Sequence, residues 1–472
     1  DGYRAAKGFQ KVADRIKSLA FNDDKSGKFF WEITADSLIY SANRIPEISD
    51  DIINIDNAMK WGYGWELGPF EVWDAMGVQE TVSRMKKENK NVPSWVDDML
   101  SSGRETFYEL TNGKRTYYDV LSSSVKTTED DPKVINLSLK KSGNNLIKRD
   151  WSASLIDLGD GVLNVEFHSA LQPTLNPIDS SMGEVMNDAM DLLDAGKYKA
   201  LVIGHEGANF CAGANLANMI QVIDAKDFDK INNDLKQFQD LMQRVRFSKA
   251  PVVAAPHHMA LGGGFEISAP AVHRVALGEL YMGAVEIGVG LVPGAGGNLR
   301  ILLNLTENSG SGRLNAFQVS QKAFETIAFA KVSSSADEAK HLGYLLKSDT
   351  IILNNDQRIK TAKDKALSLI DEGYEPPKFR DDLKLPGTGG RTAIAMVVKG
   401  FKAQGKISEH DEFIAKKLAY ILTGGDKAGL TKSVDEQYLL DIEREAFVSL
   451  TGEKLSQDRI RHMLKTGKPL RN

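Results

Sequence analysis

The chain has a single cysteine, Cys211, among 472 residues. One thiol can form no internal disulfide and cannot build a cysteine-based metal site. That usage fits a reducing compartment, so a cytoplasmic location is expected. The sequence also lacks an apolar run of 18 residues, so no membrane-spanning helix is expected. It lacks a long basic run as well: 59 Lys and Arg stand against 64 Asp and Glu, a net charge of −5. That balance argues against nucleic acid or an anionic membrane as the main partner. With 42% hydrophobic and 26% charged residues, the composition is that of a globular protein long enough for two or three domains.

Phosphate-binding glycine motifs are missing too. A dinucleotide fingerprint needs G-x-G-x-x-G between a strand and a helix. Gly262-Gly263-Gly264 is followed by Phe265-Glu266-Ile267, so its third glycine is absent. Gly288-Val289-Gly290, Gly294-Ala295-Gly296-Gly297 and Gly387-Thr388-Gly389-Gly390 fail in the same way, and no Walker lysine follows any of them. No NAD or ATP site is expected within the chain.

Two residue types are confined to one side. All six tryptophans lie at or before Trp151, and all eight histidines lie at or after His168. Two different domains are therefore expected to meet near residues 123–150. The first part reads as helical. FFWEITADSLIYSANRIPEI places Phe30, Ile33, Leu38 and Ile45 at roughly helical spacing, with Pro46 as a stop. Gly113-Lys114-Arg115 reads as a turn, and the polar SSSVKTTEDDPK from Ser122 as a linker. Trp61, Trp65 and Trp73 are expected in a core or in interdomain packing rather than in a ligand platform.

Strand–helix alternation follows. WSASLIDLGDGVLNVEF reads as a hairpin around Gly159-Asp160-Gly161. A helix over Ser180 to Leu193, the strand ALVIG, a helix from Asp227 to Arg246 and the strand APVVAAP come next. This order argues for an α/β domain. From about Asp356 the chain reads as helical again, interrupted by LPGTGG.

What the sequence does have is ALGGGFEIS, three glycines followed by a glutamate. Glycine lets a ligand approach the first N–H groups of a helix, which have no intrahelical partner. One such N–H can stabilise a developing oxyanion, and the loop FCAGANL offers a second donor at Ala214. Glu266 sits on the first turn of the glycine-led helix, and Glu286 follows among small residues. Two carboxylates in one apolar pocket push their pKa values apart, which suits one as base and the other as acid.

GHEGANFCAGANL, HMALGGGFEIS and AVEIGVGLVPGAGG, in that order, resemble the crotonase (enoyl-CoA hydratase/isomerase) superfamily. The tail EREAFVSLTGEKLSQDRIRHMLKTGKPL resembles that family's C-terminal helices. IDNAMKWGYGWELGPFEVWDAMG resembles the C-terminal helical domain of 3-hydroxyacyl-CoA dehydrogenases. The resemblance implies a multidomain chain: an all-α domain (1–125), a linker (126–150), a crotonase-like ββα superhelix (151–355) and its helical C-terminal part (356–472). It implies an oxyanion hole from the N–H groups of Ala214 and Gly263, with Glu266 activating the water that adds at C3 and Glu286 handling the proton at C2. Ala212, Gly213, Gly262, Gly264, Pro293 and Gly294 would line the substrate, a CoA thioester. The reaction implied is reversible hydration of a trans-2-enoyl-CoA in fatty-acid oxidation.

The start, DGYRAAKGF, has no methionine, and the chain reads as a fragment of a bifunctional enzyme whose NAD-binding domain precedes it; NAD is expected only there. The sequence departs from the family at Asn215, where aspartate is commoner, and at Asn176-Pro177. Several readings stay open. The activity could be Δ3–Δ2 isomerisation instead. The chain could be a scaffold docking a dehydrogenase or thiolase partner, and a homo-oligomer is possible. Glu266 could merely meet its helix dipole, Glu286 could be an ion-pair partner, and the glycines could serve only packing. His257 and His258, adjacent on a strand, should face opposite ways, which argues against a shared metal. Cys211 is expected in the core, and Lys465 and Lys468 could meet CoA phosphates or only solvent.

Overall fold

The tryptophan-rich N-terminal part is helical, but its buried stripe differs from the expected one. In the computed structural model, which describes residues 2–9, 11–310, 314–429 and 431–472, the helix Lys25–Asn43 is capped by Asp24, whose carboxylate accepts from Gly27 N–H. Trp31, Ala35, Leu38 and Ala42 are buried along it, three or four residues apart and so on one face. Ile33 is exposed, and Ile45 is buried beyond the helix end. Trp31 donates its indole N–H to Glu88 at 2.6 Å and lies 3.9 Å beneath the Arg84 guanidinium. Trp61 and Trp65 are exposed, and only Trp73 of that trio is buried. The aromatic core joins Phe70, Trp73, Trp95, Phe107 and Tyr118 instead. In WGYGWELG all three aromatics are exposed: Trp61 and Tyr63 on the last turn of the helix Ile52–Tyr63, and Trp65 in the turn that follows it.

This region is not all-α. Strands β1 (Tyr108–Thr111), β2 (Lys114–Asp119) and β3 (Ser124–Thr127) form an antiparallel sheet. The turn between β1 and β2 is Asn112-Gly113, at φ 51° and 75°, the left-handed pair that a two-residue hairpin requires. It sits one residue earlier than the expected turn, and Lys114 and Arg115 belong to β2. These elements make a first compact unit, residues 1–131 with 138–145; a second holds 132–137 and 146–472. The stretch 126–150 is thus not an unstructured linker. It carries the end of β3, the helix Leu137–Ser142 and strand β4 (Leu146–Arg149).

In the second unit, β5 (Ala153–Asp157) and β6 (Val162–Phe167) form the expected antiparallel hairpin. The strands β7 (Ala200–Ile203), β8 (Val252–Ala254), β10 (His273–Leu277) and β12 (Thr350–Ile352) then add in parallel to β6, giving the order β12-β10-β8-β7-β6-β5-β4. Parallel neighbours need long crossovers, which the helices Ser180–Asp194 and Phe228–Arg246 supply. After each of four parallel strands the chain lays a short extended piece in a second layer. These pieces are Ile178, Cys211 to Ala214, β9 (His258–Leu261) and β11 (Leu280–Gly283), and they pair in the same order. The outcome is the ββα superhelix anticipated from the motifs.

A helix not anticipated, Leu216–Asp224, follows FCAGANL. Asn215 caps it, accepting from the N–H groups of Ala217 and Asn218, so the departure from aspartate keeps a capping oxygen. The C-terminal part is helical. Its helix Arg358–Asp371 covers one face of the sheet, with Ile359, Ala362 and Ala366 clustered with Ile156, Val202 and Val253. The helical part is interrupted over 372–386, which includes Leu385-Pro386 of LPGTGG, while Gly387 to Gly390 already begin the helix Gly387–Ala403. Among the described residues, no helix is long and apolar enough to cross a membrane.

Candidate active site

The site is built where three successive superhelical turns meet. Ala214 lies on the second-layer piece after β7. In its parallel bridge with Ile178, Ile178 N–H donates to Gly213 O at 2.8 Å, and Asn215 N–H donates to Ile178 O at 3.2 Å. A residue flanked this way turns its own N–H to the opposite side. On that side stands the start of the helix Gly263–Ser268: a Cβ built on Gly263 would lie 3.7 Å from Ala214 N. Two backbone donors from different turns thus lie close together, and Ala214 is exposed.

The three glycines have separate reasons. Gly262 has φ 53° and ψ −122°, a left-handed backbone that a Cβ disfavours, and such a Cβ would stand 3.0 Å from Glu286 Oε1. Gly264 is a packing glycine, because its Cβ would meet Cys211 O at 2.3 Å. Gly263 leaves room beside Ile178 Cδ1. Clearance and packing therefore coexist in the cluster. Of the remaining expected lining residues, Ala212 and Gly213 belong to the Ala214 loop. Gly294 is pressed against Phe447, which a Cβ would approach to 2.6 Å, and its carbonyl accepts from Gln239 at 2.8 Å. Pro293 is buried and accepts from Asn298 Nδ2 at 3.1 Å.

Glu266 is not spent on its own helix dipole. Its Oε1 accepts from Ala295 N–H at 2.8 Å and Gly297 N–H at 2.9 Å, at the start of the helix Gly297–Ser309. Burial raises its pKa, and these backbone donors oppose that rise by favouring the carboxylate. Glu286 opens a one-turn 3₁₀ helix, Glu286–Val289. Its Oε2 is buried without a hydrogen-bond partner, which does not fit a salt-bridge role. Burial and the Glu266 charge push its pKa well above the usual carboxylate range. Glu266 thus has two backbone donors on one oxygen, whereas Glu286 keeps one buried oxygen without a partner and also feels the Glu266 charge, so the neutral acid is favoured more strongly at Glu286.

A third buried carboxylate, Glu443 on the helix Glu436–Thr451, was missed from sequence. It accepts from Gly296 N–H, from Asn298 N–H at 3.1 Å and from Asn298 Nδ2 at 2.8 Å. Burial, then the Glu266 charge, raise its pKa to about 8. The signal was there: Glu443 interrupts an apolar stripe of Leu439, Leu440, Ala446, Phe447 and Leu450, all buried.

The histidines behave differently from expectation. His257 and His258 do not face opposite ways; their rings stand edge to face at 5.4 Å. His257 precedes β9, and His258 has φ 45°, so strand alternation does not hold there. Among the described residues, no group of three or more His, Cys, Asp or Glu is arranged to hold a metal ion. Cys211 is buried, and burial pushes its thiol up to about 12, which makes it inert at neutral pH. Asn176, before Pro177, has φ 45°; its Oδ1 accepts from Ser169 N–H at 2.9 Å, and its Nδ2 donates to Asn209 O at 3.2 Å. Lys465 and Lys468 are exposed.

Comparison with known proteins adds the decisive observation: residues 171–312 match the family described as enoyl-CoA hydratase/isomerase. Residues 171–312 are an enoyl-CoA hydratase/isomerase domain. It contains Ala214, Gly263, Glu266 and Glu286, whereas Glu443 lies outside the matched span. The whole chain is similar to the "Probable 3-hydroxyacyl-CoA dehydrogenase" of Bacillus subtilis (strain 168), 44% identical over 99% of this chain and 58% of that protein. Part of the chain resembles the "Short-chain-enoyl-CoA hydratase" of Clostridium acetobutylicum, 27% identical over 42% of this chain and 65% of that protein. The "Fatty acid oxidation complex subunit alpha" of Psychrobacter sp. (strain PRwf-1) is 29% identical over 32% of this chain and 20% of that protein. The chain therefore spans little more than half the length of the relative that it matches from end to end.

Proposed function

We propose that the second unit hydrates trans-2-enoyl-CoA reversibly to 3-hydroxyacyl-CoA. The observation that carries this reading is the unequal pair of buried carboxylates next to two converging backbone donors. Glu266, with donors on its oxygen, takes a proton from water while the water oxygen bonds to C3. Charge moves to the thioester oxygen, which the N–H groups of Ala214 and Gly263 stabilise. Glu286, kept protonated, delivers its proton to C2. Atoms balance: one water is added, and the two carboxyl groups exchange protonation states before the next turnover. Loss of the enoyl thioester absorbance with crotonyl-CoA tests it. Equal rates for the wild type, Glu266→Gln and Glu286→Gln would overturn the assignment.

Isomerisation of a 3-enoyl-CoA needs only a single base to move a proton, and much faster turnover of that substrate would select it. For the first unit, the name of the B. subtilis relative supports an accessory role in 3-hydroxyacyl-CoA dehydrogenation, with NAD bound outside these 472 residues. NAD-dependent oxidation of 3-hydroxyacyl-CoA by this chain alone would overturn that. A thiolase partner and self-association are further proposals of the same reading, tested by sedimentation with and without a thiolase.

A further inference from the structure

Four consecutive backbone N–H groups, those of Ala295, Gly296, Gly297 and Asn298, are shared alternately between two glutamates. Ala295 and Gly297 donate to Glu266; Gly296 and Asn298 donate to Glu443. Successive amides at a helix start cannot all converge on a single carboxylate, because the backbone turns between them. A second acceptor on the far side holds the amides of Gly296 and Asn298 and leaves those of Ala295 and Gly297 aimed at Glu266. Glu443 is suited to this. Gly296 bonds one of its oxygens and Asn298 the other, through both backbone and side chain, so each oxygen faces donors only. One turn along the same helix, Phe447 presses on Gly294 and limits movement of the loop. Gln239 ties Gly294 O and Leu440 O together from a third helix, at 2.8 and 3.0 Å. We infer that Glu443 is a positioning residue for Glu266, holding the loop 295–298 so that the amides of Ala295 and Gly297 stay on the carboxylate that meets water.

This role presupposes the hydratase reading of Glu266. The charged groups around the loop are few. Glu266, Glu286 and Glu443 approach it from three elements. Arg300 sits further along the loop's own helix and bonds Gln243 and Glu436. Arg444, beside Glu443, bonds Gln239, Asn232 and Asp441. No arginine therefore neutralises the carboxylates directly, and removing one negative charge should be felt by the others.

The test compares wild type, Glu443→Gln, Glu443→Asp and Glu266→Gln in hydration of crotonyl-CoA. Alongside it, the carboxyl titrations are followed by NMR on protein carrying 13C at glutamate Cδ, with Glu266 assigned by its loss in Glu266→Gln. In Glu443→Gln the expected result is a kcat about 10- to 100-fold lower with KM little changed, the loss typical of a slightly misplaced group. The Glu266 midpoint moves up as the amides of Ala295 and Gly297, which favour its carboxylate, are no longer held on it, and Glu443→Asp, which keeps a carboxyl group for the loop, restores part of kcat. A folded Glu443→Gln with wild-type kcat and a superimposable Glu266 titration overturns the inference. If the Gln variant does not fold, the wild-type titration decides. Linked two-step behaviour of Glu266 and Glu443 supports the role, and independent single steps overturn it. If the wild type hydrates nothing, the catalytic reading of Glu266 fails, while the titrations still decide whether Glu443 governs it.

Discussion

Each of the two compact units buries carboxylates that are pushed toward neutrality, and the two sets have different meanings. In the first unit Asp56 accepts from Phe70 N–H at 2.8 Å and from the Tyr108 hydroxyl at 2.7 Å. Asp74 accepts from the N–H groups of Phe107 and Tyr108 at 2.7 and 2.9 Å. Burial raises both to about 7, yet every oxygen has a donor, and the donors are backbone groups and a tyrosine that these aspartates pin in place. In the second unit Glu286 keeps a buried oxygen with no partner, beside a glycine forced into a left-handed backbone. A raised pKa alone thus does not separate structural pins from chemistry. The unsatisfied oxygen distinguishes Glu286 here, because it leaves a polar position that no protein group fills, as the proposed acid requires.

The comparison can be broken most forcefully at the second unit. Glu266→Gln and Glu286→Gln should each lower kcat for hydration about 10²- to 10⁴-fold, the range for loss of a general acid or base. Thermal unfolding of both variants should stay near wild type, and a large drop in stability with activity retained would make these residues pins like Asp74. Next in size, Asp74→Ala orphans two buried N–H groups. It should destabilise the first unit by about 2–6 kcal/mol, at about 1–3 for each orphaned group, while hydration by the folded protein is unchanged. Denaturant titration followed by tryptophan fluorescence reads this directly, since Trp31, Trp61, Trp65, Trp73 and Trp95 all lie in that unit.

Gly264→Ala forces a Cβ toward a backbone oxygen that cannot swing aside. A loss of about 1–3 kcal/mol in the second unit is expected, with the first unit's fluorescence transition unmoved. The smallest effect is on pH. The folded-state pKa values of Asp56 and Asp74 lie above their unfolded values, so the folded unit holds protons that the unfolded chain has lost. Its stability should be greatest below about pH 4 with respect to these two groups and should fall as pH rises toward about 7. Asp56→Asn should flatten that slope; an unaltered slope would mean that other groups set it.

Much of the second unit was legible locally. The hairpin around Gly159-Asp160-Gly161, the apolar run ALVIG and the glycine-led helix all carry short-range signals of burial and backbone conformation. The first unit was harder. Trp61 and Trp65 look like core residues by type, but both are exposed, Trp61 on the helix Ile52–Tyr63 and Trp65 on the turn after it. Asn112-Gly113 is a hairpin signal that was passed over for the residues after it. Glu443 was missed for another reason. Its place in an apolar stripe hints at burial, but its partner Gly296 is 147 residues away, so nothing local shows which donors it meets.

By itself the sequence determined the order of the glycine and glutamate motifs, the alternation of strand and helix, and the absence of a nucleotide loop. Those properties follow from each residue's own backbone preference and polarity. Only the tertiary structure decided which oxygen stays unpaired, which glycine gives clearance and which gives packing, and that three carboxylates meet around one loop. Hydrogen-bond satisfaction and like-charge repulsion are properties of distances between elements far apart in the chain, and those distances exist only once the superhelix has closed.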